Sequence, residues 1–212
     1  MDLTLHALVD HGRVPAERLE TFLRDASAGG VSVIQLREKD VAIREALRYG
    51  QRARSIARDL GMLFAVDDRL DLALALDADI LHLGQEDLPP EVARRIAPGL
   101  SLGLSASNLT ELDQALAASP AYIGFGPIFT TASKADSART TGPRRLAEAV
   151  RRAGDCPIVA IGGITRGNAQ EVWRAGASGI AVIAALVEAS DVRRAAGALR
   201  ERTGREGDPH VP

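Results

Sequence analysis

Short apolar runs and amphipathic stretches alternate along the whole chain. The runs are Leu3–Val9, Val31–Leu36, Leu63–Val66, Ile80–Leu83, Leu100–Leu104, Tyr122–Phe125, Pro157–Ile161 and Gly179–Ile183. They are continuous rather than strictly alternating, as strands buried on both faces require. The stretches between them repeat apolar residues at helical spacing or are rich in alanine: Ala16–Ser27, Val41–Leu60, Arg69–Leu76, Pro90–Ile96, Leu109–Ala118, Arg144–Ala153, Asn168–Ala175 and Asp191–Arg202. Pro15 and Pro90 stand where first-turn prolines belong. Asp40 and Thr165 stand where N-caps belong, and Gly61, Gly154 and Gly176 where helices stop. Strand–helix repeats of this kind predict a parallel sheet in an α/β protein. Their count favours a single closed (β/α)8 TIM barrel over the rival open, doubly wound sheet. The expected domain covers residues 1–203, with 204–212 a disordered C-terminal tail. One connection is long. Residues 127–142 read PIFTTASKADSARTTG, which is the length of a functional or mobile loop.

Composition acts mainly by exclusion. The 212 residues carry 26 Lys+Arg against 28 Asp+Glu, a formal net charge of −2, so the basic excess used by nucleic-acid and membrane-surface binders is absent. Aromatics are only 3%, too few for a single-strand stacking platform. The single cysteine, Cys156, excludes an intramolecular disulfide framework and a Cys-based zinc site. No apolar run reaches the roughly 18 residues that span a bilayer. The opening Met1-Asp2-Leu3-Thr4 lacks the basic start and apolar core of a signal peptide. The expectation is a cytoplasmic protein with no nucleic-acid or membrane partner; the sequence leaves an oligomer open.

In a barrel the chemistry sits in the loops after the strand C-termini. After the second run come Arg37, Glu38 and Lys39; after the third, Asp67, Asp68 and Arg69; after the fourth, Gln85, Glu86 and Asp87. Ser105, Ser107 and Asn108 follow the fifth, Thr130, Thr131, Ser133 and Lys134 the sixth, and Gly162 and Gly163 the seventh. Asp68 and Asp87 lie on neighbouring strands and can share a hard divalent cation such as Mg2+, which takes one or two carboxylates and fills its shell with water and phosphate oxygens. Arg37, Lys39 and Lys134 supply positive charge for a phosphate or diphosphate. The competing reading has Asp67, Asp68 and Asp87 capping the next helices. Gly162-Gly163 lets backbone N–H groups approach an anion, or simply serves a turn with positive φ. The hydroxyls of Thr131 and Ser133 are further donors, or ordinary loop polarity. His82 alternates with Leu81 and Leu83 and so faces away from them: into the barrel as a ligand contact, or as a packed, locally hydrogen-bonded strand histidine, the commoner case. His6, His11 and His210 show no partner pattern, and Cys156 and Trp173 read as packing. There is no Ser-His-Asp arrangement, zinc spacing or dinucleotide fingerprint.

Taken together, Gln35-Leu36-Arg37-Glu38-Lys39-Asp40, Asp67-Asp68-Arg69-Leu70-Asp71-Leu72-Ala73-Leu74, His82-Leu83-Gly84-Gln85-Glu86-Asp87, Gly126-Pro127-Ile128-Phe129 with Thr131-Ala132-Ser133-Lys134, and Val159-Ala160-Ile161-Gly162-Gly163-Ile164 resemble the thiamine phosphate synthase family, in order and spacing, from Leu3 to about Ala185. The resemblance implies a TIM-barrel transferase of thiamine biosynthesis. It would join hydroxymethylpyrimidine diphosphate to a thiazole phosphate, giving thiamine phosphate and pyrophosphate by a dissociative route. It also implies roles: Asp68 and Asp87 as Mg2+ ligands; Arg37, Lys39, Ser105 and Lys134 on the diphosphate; Gln35 and His82 near the pyrimidine. Thr131, Ser133, Gly162, Gly163 and the backbone of Ile183-Ala184 would hold the thiazole phosphate. Three positions depart from the family pattern. Asp67 stands in place of its usual Asn beside the diphosphate, Ser105-Ala106-Ser107 in place of Ser-Thr-His, and Ala184 in place of Ser. The related thiazole tautomerase branch, an isomerase, uses a histidine where Ser107 stands and lacks the second acidic ligand; serine cannot shuttle protons near neutrality. A non-catalytic phosphate sensor on the same barrel is the third alternative.

Overall fold

The computed structural model describes residues 1–39, 41–131 and 140–201. Eight parallel strands close into one barrel in sequence order, β1 pairing with β8. They are β1 (Leu5–Val9), β2 (Val33–Leu36), β3 (Leu63–Asp67), β4 (Ile80–Leu83), β5 (Ser101–Ala106), β6 (Tyr122–Phe125), β7 (Ile158–Ile161) and β8 (Gly179–Val182). The helices are α1 (Leu19–Ala28), α2 (Ile43–Asp59), α3 (Leu70–Ala75), α4 (Pro90–Ile96), α5 (Leu109–Ala117), α6 (Gly142–Ala153), α7 (Ala169–Arg174), α8 (Ala184–Val187) and α9 (Val192–Arg200). Every apolar run became a strand. The four-residue α8 has no counterpart in the sequence reading, because one turn is too short to show a period.

Alternation along each strand sorts side chains into two cores. Outward-facing Leu5, Ile34, Phe64, Leu81, Ile123 and Val182 pack beneath the helices. Inward-facing Leu8, Val33, Ala65, Ile80, Val159 and Ala181 fill the barrel. An apolar residue is therefore wanted on both faces over most of each strand, which is why the runs are continuous. Gln35, Asp67, His82 and Ser105 stand toward the C-terminal ends of their strands, while His6 lies deeper, near the start of β1.

Local signals fared unevenly. Pro90 is the first residue of α4, and Gly61, Gly154 and Gly176 follow helices with φ of +70°, +59° and +90°. Pro15 is not a first-turn proline: it opens a separate turn, its carbonyl accepting from Arg18 N at 2.9 Å, and α1 starts at Leu19. Thr165 does not cap α7. It opens a turn whose N–H donates to Asn168 Oδ1 at 2.8 Å, and Asn168 occupies the cap position. Asp40 and the proposed tail lie outside the described residues.

Candidate active site

Two glycines make room for the polar interior. A Cβ at Gly103 on β5 would run into the Tyr122 ring, and one at Gly124 on β6 would come 3.0 Å from His82 Cε1. Both are flat strand positions, so close approach rather than backbone conformation demands glycine. Into this space project His82 and Tyr122, their rings stacked 5.5 Å apart. His82 Nδ1 lies 2.9 Å from the Tyr122 hydroxyl and Nε2 lies 2.8 Å from Ser105 Oγ. The imidazole is therefore held at both nitrogens, one link running down into the core and one up to the mouth. Tyr122 is buried, which pushes its hydroxyl well above the ordinary tyrosine range, with the charge of Asp67 adding to the effect. It stays neutral. Below it, His6 is fully buried and packs edge-on to Tyr122 at 5.3 Å. Burial and then His82 push His6 down to about 3, so it too is neutral.

The third strand ends in Asp67, inside the barrel. Its Oδ1 accepts from Gln35 Nε2 at 2.8 Å and its Oδ2 lies 3.4 Å from Arg37 Nε. Burial, followed by the charge of Asp68, raises its carboxyl to about 7, against the pull of Arg37, Lys39 and the Gln35 hydrogen bond. The next residue turns sharply. Asp68 has φ of +64°, a left-handed conformation that Asp tolerates better than most residues, and its N–H donates to His82 O at 2.8 Å. Its Oδ2 sits 2.8 Å from Lys39 Nζ.

The carboxyl of Asp68 is hydrogen-bonded to that of Asp87, from the loop after β4. Burial, the Asp68 contact and the Asp68 charge push the Asp87 carboxyl above the ordinary carboxylate range. Burial raises Asp68 too, but the bonds from Lys39 and Asp87 and the charges of Lys39 and Arg37 outweigh it and hold it below the ordinary range. Asp87 Oδ2 also accepts from Gly84 N at 2.6 Å. None of the three aspartates caps a helix: Arg69 and Pro89 occupy the cap positions of α3 and α4. The capping alternative is thus excluded.

These carboxyls fit a magnesium ion. Among the described residues no cluster of three His, Cys, Asp or Glu side chains could hold a metal, yet Mg2+ needs only one or two carboxylates. Asp68 and Asp87, in contact with each other at the barrel mouth, present such a donor pair.

Across the mouth, the two glycines after β7 have φ of +97° and +63°. A Cβ at Gly162 would strike Pro127 and one at Gly163 would strike the Thr130 carbonyl. The β6 loop lies directly on them, with Ile128 N donating to Ile161 O at 2.9 Å and Phe129 N to Gly162 O at 3.0 Å. The loop's far flank is fastened as well, Thr141 N and Oγ1 both donating to Pro127 O. Glycine is needed here for a turn with positive φ, and also because the loop after β6 packs against it. Thr131 is half-buried on this loop, whereas Ser133 and Lys134 lie outside the described residues. Ile183 precedes α8 and Ala184 begins it. Ser107 faces away from this chemistry: its N and Oγ both donate to Glu111 Oε2, at 2.7 and 2.8 Å, at the start of α5.

Two residues of the site take parts that the sequence does not assign them. Tyr122 looked like an ordinary strand aromatic; only the register Asp67↔His82↔Gly103↔Tyr122 across β3–β6 reveals its neighbours. Glu38 is buried and its Oε1 accepts from His11 N at 2.6 Å, tying the β2 loop to the β1 loop. Its position between Arg37 and Lys39 was the available signal.

Known proteins give a consistent picture. Residues 5–186 match the family model described as thiamine monophosphate synthase. The chain is 42% identical over 200 residues to the thiamine-phosphate synthase of Chloroflexus aurantiacus, covering 94% of this chain and 92% of that one. It is 48% identical over 181 residues to that of Moorella thermoacetica, covering 85% and 86%. Its fold is similar to the solved thiamine phosphate pyrophosphorylase from Pyrococcus furiosus, with a TM-score of 0.85 at 42% identity over 94% of each chain.

Proposed function

The chain belongs to the thiamine monophosphate synthase family, and from that premise we propose that it catalyses Mg2+-dependent alkyl transfer from hydroxymethylpyrimidine diphosphate to a thiazole phosphate. The observation that carries the reading is the contact between Asp68 and Asp87, flanked by Lys39 and Arg37, at the open end of a barrel whose interior presents Gln35, His82 and Ser105. Asp68 and Asp87 would hold the metal. When bound, magnesium supplies positive charge next to the departing diphosphate.

The remaining work falls to the chain's own side chains. Gln35 and His82, with Ser105 above them, orient the pyrimidine. Arg37, Lys39, Ser105 and Lys134 hold the diphosphate. The C–O bond between the pyrimidine methylene and the diphosphate breaks, its electron pair leaving with pyrophosphate. The thiazole nitrogen donates its pair to the cationic methylene carbon. Concentrated positive charge is what a leaving diphosphate requires at that moment, and no protein nucleophile takes part. Thr131, Ser133, Gly162, Gly163 and the Ile183-Ala184 backbone hold the thiazole phosphate. Asp67 belongs to the same pocket, holding Gln35 and Arg37 in place. The engagement of Ser107 with Glu111 counts against the tautomerase alternative, which needs a proton carrier there. Among the described residues no helix is long and apolar enough to cross a membrane, in keeping with a cytoplasmic enzyme of small-molecule substrates.

The test uses the purified chain with both substrates. Thiamine phosphate and pyrophosphate should appear together, only with Mg2+ and only when the thiazole phosphate is present. Isomerisation of the thiazole phosphate without thiamine phosphate formation would overturn the proposal.

A further inference from the structure

We propose that the Lys39 ammonium stands in for the divalent cation in the metal-free chain and is handed to the diphosphate when metal arrives, so that Lys39 sets the order of assembly of the site. This rests on the metal reading of Asp68 and Asp87 given above.

Lys39 Nζ lies 2.8 Å from Asp68 Oδ2, on the carboxyl that also contacts Asp87. Its charge acts on all three aspartates of the mouth: Asp67, Asp68 and Asp87. Without a counter-charge, carboxylates this close repel one another, and Lys39 relieves part of that repulsion. A divalent ion bound to Asp68 and Asp87 would lie within a few ångströms of the ammonium. Like charges at that range oppose each other strongly even where solvent penetrates, so the lysine must move away. It can do so, because its side chain is 47% exposed and has a long, flexible stem. Arg37 is placed differently. Its side chain is 19% exposed and it faces Asp67 rather than the Asp68–Asp87 pair, so it remains where it is.

The consequence runs against a plain supporting role. A lysine that only helps the site would weaken metal binding when removed. A lysine that occupies the cation's place strengthens it when removed. The diphosphate accepts the displaced ammonium, so metal and diphosphate each favour the other's binding, as linkage requires.

The experiment titrates the full-length chain with Mn2+, reading free ion by electron paramagnetic resonance with no substrate present. Lys39→Ala should bind Mn2+ about three- to tenfold more tightly than the parent. Lys39→Met, which keeps the stem length and loses the charge, should do the same, and Lys39→Arg should stay near the parent. Adding inorganic pyrophosphate should tighten Mn2+ binding in the parent by a larger factor than in Lys39→Ala. Equal or weaker Mn2+ binding by both neutral variants would overturn the exchange. Asp87→Asn separates the two layers of the argument. If it binds Mn2+ as the parent does, the metal reading itself fails and the exchange falls with it.

Discussion

The carboxyls of Asp68 and Asp87 are in contact, and the Lys39 ammonium sits 2.8 Å from Asp68 Oδ2. A metal ion held by the pair would displace that ammonium. Asp87→Asn tests this at the level of one atom. The amide oxygen can still accept from Gly84 N, which the carboxyl does at 2.6 Å, so the loop keeps its shape. Its charge and metal affinity are lost. The expected outcome is a fall in Mg2+-dependent kcat/KM on the order of a hundredfold or more, with the thermal midpoint unchanged or raised. Parent-like turnover across a Mg2+ titration would remove Asp87 from the metal site. The two carboxylates and the flanking cations were legible because residues just past buried runs have few other reasons to carry so much charge. Tyr122 was not legible. Its ring neighbours His82 and His6 lie 40 and 116 positions away in sequence, and no local pattern encodes that alignment.

Apart from Asp67 at the end of β3, loops carry the charges of the site, so something must hold the loops. On β2 that part is played by Glu38. Between Arg37 and Lys39 its side chain turns the opposite way and accepts from the His11 backbone on the β1 loop. Asp10, His11, Glu45 and Tyr49 surround it. Burial is the largest influence and raises its carboxyl; the charges of Asp10 and Glu45 add to that, while the His11 N–H and the His11 charge oppose it. The sign follows directly. The folded chain holds this proton more tightly than the unfolded chain, so the stability Glu38 contributes is full below the unfolded value and declines as pH rises through the folded one. Glu38→Gln keeps an acceptor for His11 and has no proton to lose. Its stability relative to the parent should therefore increase from pH 4 to pH 7 in urea denaturation, and parallel pH curves would refute the assignment. Glu38→Ala removes the acceptor as well, and should raise KM for the diphosphate substrate several-fold as Arg37 and Lys39 lose their common anchor. Elements were otherwise the most legible scale. All eight strands were readable because each is apolar on two faces, whereas helix starts at Pro15 and Thr165 were misplaced because proline and threonine serve isolated turns equally well.

Closure is a property of the whole chain, since β8 must return to β1 and α9 must return to α1. At the β seam Ile180 N donates to Thr4 O at 3.0 Å, and a Cβ at Gly179 would run into the Leu3 carbonyl. On the outer layer Arg200 donates to Gly30 O at 2.5 Å and to Asp2 Oδ2 at 3.0 Å, joining residues 170 and 198 positions apart. Gly29 lies at this crossing. Its φ of −86° is open to any residue, so conformation does not require glycine there. A Cβ would instead meet the Arg193 carbonyl and lie 2.6 Å from Ala196 Cβ, and backbone cannot yield as a side-chain tip can. Gly29→Ala should therefore destabilise the fold by roughly 1–3 kcal/mol, seen as a lower urea midpoint at unchanged slope. The crossing lies past the C-terminal end of α1, the end that leads back to the start of β2, whereas the site opens at the strand C-termini. KM for both substrates should accordingly match the parent at temperatures where the variant is folded. A stability loss accompanied by a matching rise in KM would show that the outer seam and the barrel mouth are mechanically coupled, and that closure shapes the site as well as holding it together.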